Sequence, residues 1–551
     1  MNSPAPIMTQ LTYNHHDDVP GTIVLYDNNQ EDQGSGQIIL QPQPSADPED
    51  PLNWTRRRKK IAVTMVYVYT FAIGICTTAQ YSILSQISEA QGITLAQLNT
   101  GTGLMQLLQG WGCLLWQPIA MTYGRRFVYV TTMALSTIPV LWTPFSSGSA
   151  QWYAHRILLG IFCSPVESLP EVSVPDVFFA HERGRYIALY TFVLFGSNFL
   201  SPFLSGLITD GAGWEAVMYW ATAVMAASTV IIFLFGEETI YFRDRVEGMA
   251  PTNIGPGIKQ AAHSSHAEQR DEDVGALAFS TDTDTAASPR PKKTRLQKLA
   301  LVSRVPGRPS QKQTFLKSWR SLQILVFFPN ILWAGLLYGT NIAWYSVINA
   351  TMSMILGAPP YNFEATMVGV AFLSPLLFGA IACAWSGKLS DILTLRLAKR
   401  NGGVREPEHR LWGLAVSAFL STGGLIMWGV GASVSAHYMV LIVGIGLVTC
   451  GVVAASAISL SYAVDCFKEI SGEAFAAIMV IRNSIGFSFS YAITPWIESV
   501  GLLNCFISVS VLSFVCTGSF LAMIYWGKSL RKRSAKKYYE FVAAERETAI
   551  H

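Results

Sequence analysis

Long apolar stretches separated by short polar loops dominate the chain. Twelve of these stretches have about the length, roughly 20 residues, that crosses the hydrocarbon core of a bilayer. They cover residues 61–83, 98–119, 127–147, 151–171, 186–208, 214–236, 322–346, 365–386, 411–431, 437–460, 474–497 and 502–526. The pattern predicts an all-α membrane protein with twelve transmembrane helices.

The basic residues predict how these helices are oriented. Lys and Arg are enriched in cytoplasmic loops, and here they fall on one side of the predicted helices only. The six opposite loops, which begin near residues 84, 146, 209, 351, 431 and 498, contain neither. The basic side is marked by Arg56-Arg57-Arg58-Lys59-Lys60, Arg125-Arg126, Arg183, Arg185, the segment 388–410, Lys468 and Arg531-Lys532-Arg533. We therefore expect both termini in the cytoplasm.

Composition supports a membrane protein and leaves little soluble chain. Only 14% of the residues are charged, against about 25% in soluble domains. Residues 1–50 and 245–290 are too polar to bury a core, and we expect them to be disordered. Residues 292–320 are basic, with Phe315, Leu316 and Trp319 interleaved. This stretch fits a segment on the inner leaflet and equally a solvated linker.

Matching glycines relate the two halves. Gly184 and Gly213 flank the fifth span, and Gly472 and Gly501 flank the eleventh with the same separation of 29 residues. Two pseudo-symmetric six-helix halves around a long central loop are typical of secondary transporters, whose binding site lies where the repeats meet. The resulting division is a disordered cytoplasmic N-terminus (1–55), an N-terminal half (56–236), a cytoplasmic central loop (237–320), a C-terminal half (321–527) and a cytoplasmic tail (528–551).

Short motifs occur in a fixed order along the first half. They are Asp50-Pro51-Leu52-Asn53-Trp54, Tyr123-Gly124-Arg125-Arg126, Arg156-x-x-x-Gly160, His181-Glu182-Arg183-Gly184 and Ser201-Pro202-x-x-Ser205-Gly206. In this order the chain resembles fungal members of the major facilitator superfamily and is similar to the twelve-helix drug:proton antiporter group. The resemblance covers roughly residues 50–250 and 318–530. It implies the major facilitator fold and transport by alternating access.

The resemblance also implies conformational roles for several motif residues. They are Gly124, Arg125, Arg126, Ser201, Pro202, Gly206, Gly387, Asp391 and Arg482. The chain departs from the family where Gln117 and Met121 replace a Gly and an Asp before the first Gly-Arg-Arg. The loop after the eighth span has that Gly and Asp, as Gly387 and Asp391, but lacks the Gly-Arg-Arg. Span 5 has serines at 201 and 205 where the antiporter pattern prefers glycine.

The fourth span carries a polar stripe. Arg156, Gly160, Ser164, Glu167 and Glu171 fall within an arc of about 80° on a helix. A charge at membrane depth costs several kcal/mol unless it faces the protein interior or water. The stripe is therefore predicted to face inward, which agrees with the cavity-lining place of this span in the family.

Glu167 is the candidate for proton coupling, with Arg156 on the same face. Pro165 and Pro170 flank it and leave backbone carbonyls unpaired, and a half-buried carboxylate there can exchange a proton near neutral pH. A purely structural ion pair of Glu167 with Arg156 or with a neighbouring helix is the alternative. Glu171 lies nearer the cytoplasm, where we expect it to be solvated.

Polar residues elsewhere in the spans are candidates for the substrate cavity. They are Gln80, Tyr81, Asn198, Asn341, Trp344 and Tyr345. Their alternative role is hydrogen bonding between neighbouring helices. An amide and aromatic lining suits a sizeable, moderately apolar organic compound. For Arg482 we expect an ion pair with Asp465 or Glu473 near the cytoplasmic end.

These features favour a transporter over the other classes of membrane protein. No Walker motif or cluster of histidines occurs in the sequence, so neither an ATP-driven pump nor a multi-histidine metalloenzyme is predicted. We predict proton-coupled efflux of a drug-like compound or secondary metabolite. Proton-driven uptake of an organic cation or nutrient is the first alternative, and a sensor of the same fold is the second. The expected partners are a small organic substrate, protons and membrane lipid, without a cofactor, metal or nucleic acid, in a plasma-membrane monomer.

The orientation can be tested with inserted tags. A tag after Ser147 should react with a membrane-impermeant label in intact cells, because its loop carries no basic residue. The same tag near Ser280 should react only after permeabilisation. Labelling of the second tag in intact cells would overturn the arrangement.

Overall fold

A computed structural model describes residues 19–24, 47, 50–241, 300–302, 311–402 and 404–550. Most of the two stretches expected to be disordered, 1–50 and 245–290, lies outside these residues, as does Ser280. The described chain is almost entirely helical. A single pair of two-residue strands, β1 (Ile23–Val24) and β2 (Val404–Arg405), accompanies the helices in these ranges.

The N-terminal half contains eight α-helices among its described residues. They are α1 (Arg56–Thr78), α2 (Leu84–Gln91), α3 (Leu95–Tyr123), α4 (Arg125–Trp142), α5 (Gly148–Cys163), α6 (Leu169–Val177), α7 (Ala180–Ala212) and α8 (Trp214–Phe235). Short 3-10 helices occupy Pro51–Asn53, Thr143–Phe145 and Ser164–Glu167.

The described residues after 310 form nine more α-helices. They are α9 (Gln311–Phe327), α10 (Pro329–Gly357), α11 (Ala365–Ala371), α12 (Leu373–Arg400), α13 (Leu414–Ser433), α14 (Tyr438–Cys466), α15 (Ser471–Val500), α16 (Leu502–Gly518) and α17 (Phe520–Ile550). A 3-10 helix at Pro407–Gly413 leads into α13. Helix α9 begins inside the predicted central loop, and α17 continues through most of the predicted tail.

Eleven helical stretches of the described chain are long and apolar enough to cross a membrane. The predicted span at 98–119 is the exception. It lies in α3, whose 29 residues give a length of about 43 Å, so length is not what distinguishes it. Four glutamines and Asn99 lower the mean hydropathy of α3. The helix can carry these polar residues because it packs against helices of both halves.

Contacts between helices join the halves. Helix α3 packs against α15, and α7 packs against α11 and α12. One hydrophobic cluster draws residues from both halves, among them Trp152, Trp344 and Trp428, near the loops predicted to lie outside. The other two large clusters are each confined to one half and lie toward the opposite ends of the helices. In the described residues, the largest core shared by the halves therefore lies at the predicted outer end.

The start of α4 holds a carboxylate. The backbone N–H groups of Arg125 and Arg126 donate to the two oxygens of Glu238, at 3.0 and 3.2 Å. Gly124 has φ +111°, and a Cβ there would collide with the Glu238 carboxylate, so this turn requires glycine. Arg125 also pairs with Asp176. The Gly124-Arg125-Arg126 motif therefore connects the start of α4 to α6 and to the chain after α8.

The crossing of α7 and α11 is a contact between backbones. A Cβ on Gly206 would overlap the Ala365 carbonyl and come within 3.2 Å of Gly369 Cα. From the same surface the Asp210 carboxylate accepts a bond from Thr366 N–H at 3.2 Å. On its other side α7 is tied to α1, since Ser201 Oγ donates to Ile75 O at 2.8 Å. These contacts need small residues at the interface between the halves.

In the C-terminal half, a buried ion pair joins the 3-10 helix before α13 to α17. Arg531 donates to both oxygens of Glu408, at 2.9 and 2.6 Å. Gly387 is exposed within α12, and the Asp391 side chain is outside the described part of the structure. The Arg531 guanidinium also donates to the Pro20 carbonyl at 2.5 Å. Residues 19–24 are therefore docked on the protein, whereas the whole stretch 1–55 was expected to be disordered.

The α7–α11 crossing predicts the effect of one substitution. Gly206→Leu should destabilise the protein by about 1–3 kcal/mol, because the side chain overpacks a backbone contact. Gly211→Leu on the same helix is the matched control, since a Cβ there meets nothing within 4 Å. Monodisperse yield and heat-induced unfolding in detergent measure both variants. Equal behaviour of the two would contradict the assigned packing, and Leu204→Ile should also be tolerated.

Candidate functional site

A cavity of about 120 Å³ lies between the halves. Its lining comes from α1, α3, the 3-10 helix at Ser164–Glu167 and α7 on one side, and from α10, α14 and α15 on the other. Pockets for drug-sized ligands measure about 300–1,000 Å³. In this conformation the cavity therefore has room only for a small compound. A larger compound requires the halves to move apart.

A break in the fourth span brings Glu167 to this cavity. Helix α5 ends at Cys163, a 3-10 turn covers Ser164–Glu167, and α6 starts at Leu169. Pro165 and Pro170 cause the break, because neither can donate a backbone hydrogen bond within a continuous α-helix. Glu167 is 6% exposed and contributes to the cavity lining.

The Glu167 carboxylate is bound by two residues of the other half. Arg482 on α15 forms an ion pair with Oε1, and Asn483 Nδ2 donates to Oε2 at 2.7 Å. Arg482 also donates to the Tyr338 hydroxyl at 3.2 Å. The expected partners of Arg482 were wrong: Asp465 instead lies 3.3 Å from Arg405. The side-chain contacts of Glu167 thus join span 4 to span 11.

This ion pair balances two buried charges. Glu167 and Arg482 side chains are only 6% and 13% exposed, so each charge has lost most of its hydration. Such a pair recovers its desolvation cost only when further hydrogen bonds complete it. Asn483 and Tyr338 supply these bonds. Removal of one charge leaves the other buried without its counter-charge.

Arg156 lies apart from this ion pair. It is 2% exposed, and its guanidinium stacks on Trp152, with the Cζ atom 4.4 Å from the ring centroid. In the described part of the chain its Nε has no hydrogen-bond partner. The structure therefore does not pair Arg156 with Glu167. Glu171, expected to be solvated, is only partly exposed.

The six candidate cavity residues divide into two groups. Tyr81, Asn198 and Tyr345 line the cavity. The other three make contacts between or within helices: Gln80 donates to Thr102 Oγ1 at 3.1 Å, Asn341 donates to Leu337 O at 2.9 Å, and Trp344 packs against Phe489.

Glutamines of α3 belong to the site and were missed from the sequence. Gln106 and Gln109 line the cavity, and Gln106 Nε2 donates to Ser346 Oγ of α10 at 3.4 Å. Their i, i+3 spacing in an otherwise apolar span was the available signal, since such a pair shares one helix face. Tyr338 had no comparable signal, because its importance depends on its contact with Arg482 of another helix.

Comparison with known proteins points to one family of transporters. The sequence profile described as Major Facilitator Superfamily matches residues 66–491. An uncharacterized MFS-type transporter of Schizosaccharomyces pombe is 28% identical, over 96% of this chain and 95% of its own. Protein HOL1 of Saccharomyces cerevisiae is 25% identical, over 96% and 98%. The probable efflux pump mfs2 of Aspergillus flavus is 24% identical, over 83% and 99%.

The buried ion pair makes a prediction for stability. Arg482→Gln should destabilise the protein by about 3–5 kcal/mol, because Glu167 keeps its charge without a partner. The double variant Glu167→Gln with Arg482→Gln should recover most of the loss. Heat-induced unfolding of the purified protein measures both. A double variant as unstable as the single one would exclude the pairing.

The control is a solvent-exposed ion pair of the same protein. Lys537 and Glu540 lie 2.9 Å apart, with side chains 46% and 48% exposed. Exposed pairs contribute about 0–1 kcal/mol. Lys537→Gln should therefore leave the unfolding temperature almost unchanged.

Proposed function

The chain belongs to the Major Facilitator Superfamily, and from this we propose that it is a proton-coupled transporter that exports a small organic compound. Membership makes it a multi-pass membrane transporter. The observation that carries the proposal is the bonding of the Glu167 carboxylate to Arg482 and Asn483 of the other half. A titratable group in this position links a proton to the contact between halves.

Protonation of Glu167 changes both of its contacts. The neutral acid no longer balances the charge of Arg482, and a proton on Oε2 removes the acceptor that Asn483 uses. Both contacts join the two halves, so proton binding weakens one arrangement of the halves and favours another. This is the linkage that alternating access needs, with substrate bound in the cavity between them.

The cavity lining supports an organic substrate without a large net charge. Tyr81, Asn198 and Tyr345 offer rings and an amide, and the charges of Glu167 and Arg482 balance each other. Among the relatives, the Aspergillus flavus protein is named a probable efflux pump, which supports export. We place the protein as a monomer in the plasma membrane, with both termini in the cytoplasm, on the distribution of its basic residues.

Uptake of an organic cation is the second candidate. The carboxylate of Glu167 and the rings of Tyr81, Tyr338 and Tyr345 all line the cavity, and a cation is attracted by both kinds of group. The direction of movement separates the candidates. In proteoliposomes with an imposed pH gradient, an exported compound moves against the proton flow and an imported one moves with it. A panel of organic cations and lipophilic metabolites covers both.

Glu167→Gln is the direct test of coupling. The amide keeps the shape of the side chain and resembles its protonated, uncharged form, but it cannot titrate; transport is therefore compared in the fraction of the variant that remains folded. Gradient-driven accumulation should fall to background, while exchange of substrate for substrate persists, because exchange needs no net proton movement. Glu171→Gln, which lies outside the ion pair with Arg482, is the control and should have a milder effect.

Two results would contradict the proposal. Full gradient-driven transport by Glu167→Gln at normal yield would leave the carboxylate a structural role only. Loss of both accumulation and exchange, with Arg482→Gln giving the same loss, would also mean that the pair maintains the fold and carries no coupling proton.

A further inference from the structure

Between residues 314 and 321, helix α9 turns its small polar side chains toward the protein and its apolar side chains away. Thr314, Ser318 and Ser321 are 5%, 9% and 1% exposed. On the opposite side Phe315, Leu316 and Trp319 are 48%, 55% and 61% exposed. In a soluble segment the apolar stripe of a helix faces the core. The reversed arrangement of α9 indicates that a nonpolar medium surrounds its outer face.

The position of α9 indicates which medium this is. The helix packs on α3 and α15, one from each half, and only Phe328 separates it from α10, which is long and apolar enough to cross the membrane. The C-terminal end of α9, next to α10 in sequence, carries Val326, which is 78% exposed. The outer face of α9 is thus continuous with a helix surrounded by acyl chains.

The charge of the segment is complementary to a membrane surface. Residues 292–320 contain nine Lys and Arg and no Asp or Glu. Anionic lipids of the cytoplasmic leaflet attract such segments, and Trp and Phe rings favour the boundary between headgroups and acyl chains.

We propose that α9 is a membrane-surface helix that inserts Phe315, Leu316 and Trp319 into the cytoplasmic leaflet and binds its anionic lipids. Because α9 contacts α3 and α15 together, the lipid holds it across the seam between the two halves. Any relative movement of the halves at this seam must slide α9 over one of these helices. Anionic lipid therefore influences the stability of this arrangement as well as the position of the helix.

The depth of α9 can be measured with spin labels. The protein is placed in nanodiscs of phosphatidylcholine and phosphatidylserine, with labels on Leu316→Cys or Trp319→Cys after Cys383 and Cys516, the two native cysteines that are not buried, are changed to Ser. Both labels should be accessible to oxygen and shielded from a water-soluble nickel reagent. A label on Glu540→Cys, an exposed site of α17, should show the opposite. Nickel access at 316 and 319 would overturn the proposal in favour of a solvated linker or the docking face of a soluble protein.

The lipid preference is tested separately. The unfolding temperature of the protein should be higher in nanodiscs containing phosphatidylserine than in phosphatidylcholine alone. Leu316→Ser with Trp319→Ser should remove most of this difference, whereas Gln323→Ser, at an exposed polar position of the same helix, should retain it. The same temperature in both lipids for the unmodified protein would refute the preference for anionic lipid.

Discussion

A bilayer cannot solvate a charge, and this constraint determines how the interior of the bundle is arranged. Each ionised group at membrane depth must have a counter-charge, stack on a ring or face water. Glu167 meets Arg482, and the isolated Arg156 stacks on Trp152. Because the Glu167 pair connects the halves, the interaction that neutralises a buried charge also holds the two halves in register. Stability and the proposed coupling therefore depend on the same few atoms.

The fold was largely predictable because lipid imposes a simple pattern on sequence. Apolar runs of membrane-crossing length identified the helices, and the family resemblance identified their arrangement, which the family match confirms. The prediction was least complete for helices α3 and α9. Helix α3 has the length of a span but not the hydropathy, since Gln106 and Gln109 line the cavity between the halves. Helix α9 exposes apolar side chains, which a solvated linker would bury. Composition alone left open whether this segment lies on the inner leaflet or is a solvated linker.

The site was less predictable because its contacts are long-range. Periodicity placed Glu167 on an inward face, but its partners Arg482 and Asn483 lie more than 300 residues further along the chain. The sequence offered Asp465 and Glu473 as nearer partners for Arg482, and proximity in sequence was misleading. The same reasoning missed Arg531, which pairs with Glu408 across 123 residues. Pairing of buried charges is decided by which helices cross, and helical periodicity does not contain that information.

The docking of residues 19–24 has a consequence for biogenesis. The Pro20 carbonyl accepts its bond from a guanidinium 511 residues later, and in β1–β2 pairing Val404 lies 380 residues after Val24. At about 5–20 residues per second, Pro20 waits roughly 25–100 s for Arg531 to be synthesised. The segment 19–24 therefore completes its docking only after this part of α17 has been made.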